Sequence, residues 1–276
     1  MSTGLVNGTR LFWEVAGSEG ESLIFVHGSW TDHRAWDRVV PQLARSFRVL
    51  TYDRRGHSRS ERSTSQGSIR EDVADLCALV DHLGLAPANL VGSSIGATIA
   101  LRAVAERPDM FRRLLIHEPP LFDLLEGDPD ARAPLSAARK HMEAAAALLA
   151  AGRMEEGTRH FVETVAAGPG EWELIRAEMR TTYIFNAPTW LDETRDPGAL
   201  TIDLEALHRF PGPVRVTAGG KSPAFFRLVV DIIARSFPRA EVRMFAGAGH
   251  VPHLSHSTEY VESLTDFMSG SASAGS

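Results

Sequence analysis

At 276 residues, with 43% hydrophobic and 23% charged residues, the chain has the length of one large α/β domain with a sizeable core and the composition of an ordinary soluble globular protein. A formal net charge of −6 speaks against a nucleic-acid surface, and a single cysteine, Cys77, excludes an intramolecular disulfide and suits a reducing compartment. The start Met1-Ser2-Thr3-Gly4 has neither a basic nor an apolar leader pattern and no stretch reaches the length of a membrane span, so a soluble, cytoplasmic protein is expected.

In chain order, residues 5 to 15 alternate around Asn7-Gly8 and predict an opening hairpin. Leu23-Ile24-Phe25-Val26 is a short apolar run that ends in His27-Gly28-Ser29-Trp30, the form of a buried strand opening into a glycine-containing loop. Trp36, Val39, Val40 and Leu43 have helical spacing, Val49 to Tyr52 predicts a further strand, and Asp53 to Ser58 a polar turn. Ser68-Ile69-Arg70-Glu71 has the form of a capping box and leads a helix with apolar positions at 69, 73, 76, 77, 80 and 83, which makes Cys77 a core residue.

Leu90-Val91 then runs into Gly92-Ser93-Ser94-Ile95-Gly96 and a helical stretch stopped at Pro108, and Leu114-Leu115-Ile116 forms another buried strand ending in His117-Glu118-Pro119-Pro120. This alternation implies a parallel sheet with helices on both faces over residues 1–120. From 121 to 210 the rhythm changes to an alanine-, methionine- and aromatic-rich segment without strand signals, which is expected to be an inserted helical cap. Strand and helix alternate again over 211–268, through Val214 to Thr217, Phe226 to Phe237, Glu241 to Phe245, a Gly247-Ala248-Gly249-His250 loop and a last helix. The tail 269–276 contains only Ser, Gly and Ala and is expected to be disordered.

Ser94 stands at the apex of a strand, turn and helix whose glycines allow a tight turn and a close approach of helix to sheet, so its hydroxyl is presented as a nucleophile. A serine needs a base, and the base needs a partner that fixes its tautomer. Of the eleven histidines, His250 lies in a glycine-flanked loop after the last strand, at the same sheet edge as Ser94. His33, His82, His141, His160 and His208 are read as surface or core residues. The spacing of His250, His253 and His256 does not indicate a metal site, because Pro252 breaks the helix that would align them.

Taken together, His27-Gly28, Asp53-Arg54-Arg55-Gly56-His57-Ser58, Gly92-Ser93-Ser94-Ile95-Gly96 and Gly249-His250 resemble the motifs of α/β-hydrolase-fold enzymes over roughly residues 5 to 268. The resemblance implies a mostly parallel eight-stranded sheet, Ser94 as nucleophile, His250 as base, and an oxyanion hole from the backbone N–H groups of Ser29 and Ile95. Asp53 and His27 fall where such enzymes have architectural residues. It implies no cofactor and no metal.

The sequence departs from the common pattern at the acid, because the turn after Val214 to Thr217 reads Gly219-Gly220-Lys221-Ser222-Pro223 without a carboxylate. Glu118, at the end of the neighbouring strand, has the reach to serve His250, which gives a Ser94–His250–Glu118 triad; Asp123 and the absence of any acid stand as alternatives. That placement resembles the zearalenone hydrolases, a lactonase branch in which a serine, a histidine and a glutamate open a macrolactone and a cap tryptophan helps to hold it. The resemblance carries over to Trp190, and Trp30, Tyr183 and Met154 join it as expected substrate contacts.

The expected activity is hydrolysis of an ester or lactone of an apolar or aromatic small molecule through an acyl-enzyme. Carbon–carbon hydrolysis of a β-diketone and cofactor-free perhydrolysis of the haloperoxidase type would use the same triad, and a ligand-binding receptor would keep the pocket without the chemistry. Epoxide hydrolase and dehalogenase chemistry is disfavoured, since the relatives that perform it carry an aspartate where this chain has Ser94. No nucleic-acid or membrane partner is expected, and a homodimer through exposed apolar cap surface is left open.

Overall fold

The computed structural model describes residues 1–166 and 168–270. An eight-stranded sheet runs through it, built from β1 (Ser2–Val6), β2 (Thr9–Ala16), β3 (Ser22–Val26), β4 (Arg48–Asp53), β5 (Ala88–Ser93), β6 (Phe111–His117), β7 (Val214–Gly219) and β8 (Ala240–Phe245). The order across the sheet is β1-β2-β4-β3-β5-β6-β7-β8, with β1 and β2 antiparallel and every pairing from β4 to β8 parallel. Asn7 and Gly8, both at positive φ, close the expected β1–β2 hairpin.

The side-chain alternation of β3 shows why the sheet is covered on both faces. Ile24 and Val26 enter the larger core with α2 (Ile69–His82), α3 (Ile95–Glu106) and α9 (Ala224–Arg235), whereas Leu23 and Phe25 pack with Trp36, Leu43 of α1 (Val40–Leu43), and Tyr260 and Leu264 of α11 (Ser257–Ser269). The Ser68–Glu71 capping box is present at the start of α2 with both of its reciprocal hydrogen bonds. The helical spacing of Trp36 to Leu43 resolves into a 3-10 turn, His33–Trp36, followed by the single turn of α1, because Pro41 has no N–H to continue one ladder through both.

Between β6 and β7 there is no strand among the described residues. The segment holds α4 (Pro129–Ala150), α5 (Met154–Phe161) continued by a π-helical turn to Ala166, α6 (Glu171–Leu174), α7 (Ala177–Arg195) and α8 (Leu204–Leu207). Its two ends belong to the main core through Leu121, Phe122, Leu125, Leu207 and Phe210, while Ala145, Leu149, Ala187, Trp190 and Leu191 form a separate cluster around Trp30. After β8, α10 (Pro252–Ser255) precedes α11, which takes in Ser269, the first residue of the tail expected to be disordered; residues 271–276 of that tail lie outside the described residues. Among the described residues no helix is long and apolar enough to cross a membrane.

What this topology does for function follows from β3 and β5. Chain order proceeds from β3 to β4 on one side and resumes at β5 on the other, so the crevice beyond the carboxyl ends of β3 and β5 is the switch point where open α/β sheets bind their ligands. The loop after β3 carries Ser29, the turn after β5 carries Ser94, and β6, next in the sheet, is followed directly by Glu118.

Candidate active site

Ser94 sits at φ 57° and ψ −128°, a conformation costly for a residue with a Cβ, between the last residue of β5 and the first of α3. The two glycines around it are sterically required: a Cβ on Gly92 would meet the Gly96 carbonyl, and one on Gly96 the carbonyls of Val26 and His27. Gly28 approaches from the other side less tightly: a Cβ there would lie 3.1 Å from Ser94 Cβ. The N–H of Ile95, at the first position of α3, has no intrahelical acceptor, and among the described residues none takes the N–H of Ser29.

Glu118 is the best-connected carboxylate of the site. It is fully buried, held at φ 43°, and accepts from Gly219 N–H (2.7 Å), from the Ser222 hydroxyl (2.9 Å) and from His250 Nδ1 (2.6 Å). Burial by itself would raise its pKa, but the His250 hydrogen bond, the neighbouring His117 and the Gly219 N–H together hold it down at about 2. The imidazole of His250 is further fixed by stacking on Phe226, 4.8 Å between ring centroids. With Nδ1 committed to Glu118, Nε2 is the nitrogen left for other work.

Among the described residues no hydrogen bond joins Ser94 Oγ to His250, although both side chains line one cavity. His117 Nδ1 donates to Thr217 Oγ1 (2.9 Å), whose own proton goes to the Ile116 carbonyl, and burial lowers the pKa of His117 to about 4. It is therefore a neutral imidazole beside the carboxylate. Although His117, Glu118 and His250 could gather around a cation, the 2.6 Å separation of Glu118 and His250 is that of a directly shared proton. Asp123, the alternative acid, is an exposed partner of Arg139 at 3.6 Å and has no hydrogen bond or ion pair with His250.

The cavity above Ser94 and His250 has a volume of about 180 Å3, and its walls are mostly apolar. Trp30 and Trp190 stack at 5.0 Å with Phe161 against both, and Tyr183 lies on the same wall. Met154 is the expected contact that the structure places elsewhere: it opens α5 and packs behind the wall, against the Trp30 and Trp190 cluster, without lining the cavity. The histidines at 253 and 256 do not join His250 either, since His253 packs on Trp36 at 4.5 Å and His256 Nδ1 pairs with Ser255 Oγ. Asp53 takes the N–H and Nδ1 of His33 and the N–H of Arg59, and His27 Nε2 accepts from Arg54 N–H, contacts that hold the two loops beside the site.

Sequence reasoning passed over Asn186 and Glu193, met Arg54 only within the Asp53 to Ser58 motif, and met Ser222 only as a turn residue without a carboxylate. Ser222 occupies the turn where a carboxylate was sought, and it donates to one instead. Glu193 lines the cavity and accepts from the Ser29 hydroxyl at 2.5 Å and from Arg54 at 2.8 Å; burial raises its pKa against the pull of both. Asn186 donates to the carbonyls of Trp30 (3.1 Å) and Thr31 (2.9 Å) and accepts from Ser58 N–H. The available signal was the spacing of Thr182, Asn186, Thr189 and Glu193, a polar stripe on a helix whose other face carries Tyr183, Ala187 and Trp190.

A model of the alpha/beta hydrolase family matches residues 23–263. A hydrolase of Bacillus subtilis (strain 168), YraK, is 35% identical over 125 residues, which is 45% of this chain and only 46% of that protein. Two relatives match nearly end to end. The pimeloyl-[acyl-carrier protein] methyl ester esterase of Chromobacterium violaceum is 29% identical over 262 residues, 94% of this chain and 98% of its own length. The zearalenone hydrolase of Bionectria ochroleuca is 26% identical over 260 residues, 91% of this chain and 90% of its own.

Proposed function

The chain belongs to the alpha/beta hydrolase family, and from that membership we propose that it is a serine hydrolase that cleaves an ester or lactone of an apolar or aromatic small molecule through an acyl-enzyme. Ser94 Oγ attacks the carbonyl carbon as His250 Nε2 takes its proton. The oxyanion is met by the N–H groups of Ser29 and Ile95, and the imidazolium by Glu118. The carbon–oxygen bond then breaks as His250 returns the proton to the leaving alkoxide, and water repeats the sequence on the acyl group to give the acid. In a lactone the alcohol stays tethered, and the product is a single hydroxy acid.

The observation that carries this reading is the hydrogen bond from His250 Nδ1 to the buried, ionised Glu118, which leaves Nε2 for the apolar cavity that the strained Ser94 also lines. No bond from Ser94 to His250 is needed in the resting protein, because such contacts commonly tighten only when substrate arrives. Residues 121–210 act as the cap over a body made of 1–120 and 211–268, and Trp190, Trp30 and Tyr183 form the wall against which the substrate lies. The zearalenone hydrolase among the relatives makes a resorcylic macrolactone the first lactone to try. The single, buried Cys77 of the present chain suits work in a reducing cytoplasm.

The test is turnover, read by mass spectrometry, of zearalenone, aryl esters of short and medium chain, and a β-diketone, alongside labelling with a fluorophosphonate. Label on Ser94, ester or lactone turnover, and loss of both in Ser94→Ala are the expected results. A wild-type protein that takes no label and turns over nothing in the panel overturns the reading in favour of a ligand-binding role.

A further inference from the structure

Glu193 is difficult to explain by stability. It comes from α7, lies beside the cavity with its side chain 13% exposed, and forms a largely buried ion pair with Arg54, which is 2% exposed and also bound to Asp72 at 3.0 Å. A buried ion pair of this kind adds little over an apolar pair of the same volume. What an apolar pair could not do is accept the Ser29 hydroxyl, and that bond is 2.5 Å long.

The rest of α7 bears on the same loop. Asn186, two turns before Glu193, ties the carbonyls of Trp30 and Thr31, and Thr31 N–H closes back on the Ser29 carbonyl at 2.8 Å. Trp30, held at φ 68°, keeps a conformation that a non-glycine residue adopts only under such restraint. The Ser29 side chain and the two peptide groups after it are thus tied, while its N–H has no acceptor among the described residues. The chain of contacts from Asp72 through Arg54 and Glu193 to Ser29 runs from α2 to the lip of the cavity.

We propose that Glu193 is a positioning residue: by gripping the Ser29 hydroxyl from α7, it sets the Ser29 N–H in place as an oxyanion donor. The inference rests on the serine hydrolase reading above. It means that one helix sets both the apolar wall, through Tyr183 and Trp190, and the donor loop opposite, so the oxyanion site is complete only when α7 is seated.

Ser29→Ala is the decisive variant, since it removes only the tether and keeps the peptide N–H. Glu193→Ala removes the acceptor, and Glu193→Gln restores an oxygen that can accept from Ser29. Each is assayed with an aryl ester and the matching thionoester, whose sulfur draws little from an oxyanion hole, and melting temperatures are recorded. Ser29→Ala and Glu193→Ala are expected to lower kcat for the oxygen ester about tenfold, part of the roughly 100-fold carried by an oxyanion donor, with KM little changed. The ester-to-thionoester rate ratio should fall with it, and Glu193→Gln should recover most of that ratio.

A general loss of stability would depress both substrates alike, so the ratio isolates the donor. If Glu193→Ala does not fold, Ser29→Ala decides alone. Folded variants that keep the wild-type kcat and ratio overturn the positioning role and leave the hydrolase reading standing. A wild-type protein silent toward both substrates and the fluorophosphonate overturns that reading and this inference with it.

Discussion

The two glutamates of the site, the fully buried Glu118 and the partly buried Glu193, are held in opposite ways. Glu118 directly follows β6, the strand next to β5, and takes its donors from Gly219 at the end of the adjacent β7, from Ser222 just beyond it, and from His250; its pKa is drawn down to about 2. Glu193 hangs from a helix of the β6–β7 segment, and burial outweighs Arg54 and Ser29, so its pKa is raised. The Glu118 side of the site is thus built into the sheet. The Ser29 side is tied to a helix from another segment, which makes it the easier side to tune and to break.

The hardest blow falls on the sheet-built side. Glu118→Gln keeps an oxygen for the Gly219 N–H but takes away the charge that stabilises the imidazolium and fixes its tautomer, so kcat is expected to fall about 1,000-fold. Steady-state kinetics on whichever substrate of the panel is turned over will measure it. Full activity in this variant would remove Glu118 from the triad and leave the serine and histidine to act without it.

A smaller loss is expected from the helix-built side. Asn186→Ala releases the Trp30 and Thr31 carbonyls but leaves the Glu193 to Ser29 bond, so kcat should fall a few-fold to about tenfold, as for a modest misplacement of a catalytic group. Smaller again is Ser222→Ala. It deletes one donor of three to Glu118, a change of about 1 kcal/mol in a charge-assisted bond, and a roughly fivefold loss in kcat is expected. If Ser222→Ala proves more damaging than Asn186→Ala, the ranking of the two sides is reversed.

How much of this could be read in the sequence follows the same division. The Ser94 turn was legible because its glycines answer a local need for close approach, and His250 because a glycine-flanked loop after a strand is local as well. Glu118 was legible from its position between Leu114-Leu115-Ile116 and Pro119-Pro120, where a charge has little access to water. Glu193 and Asn186 were not: the polar stripe they share with Thr182 and Thr189 marks a helix face, but what that face serves lies in loops about 130 residues or more away. Met154 was misplaced for a related reason, since nothing local tells an apolar residue in front of the cavity from one behind it.

The last effect concerns the histidines packed around Glu118 and His250; it is negligible at neutral pH and appears only in acid. Burial holds His117 neutral with a pKa of about 4 and His253 with one of about 3, against about 6.5 for an unfolded histidine. A folded pKa below the unfolded one means that the unfolded chain binds the proton first. Stability from each group is therefore complete above about pH 6.5 and is lost as pH falls toward the folded value. His253 is the one to remove, because its Nδ1 has no partner and its ring packs on Trp36 and Tyr260 as a phenyl ring could. In His253→Phe the fall in stability between pH 7 and pH 4.5, measured by urea denaturation, should be smaller than in wild type by about 2 kcal/mol. Equal losses in the two proteins would mean that His253 is protonated within the fold, and that the wall beside His250 admits water that its apolar neighbours are taken to exclude.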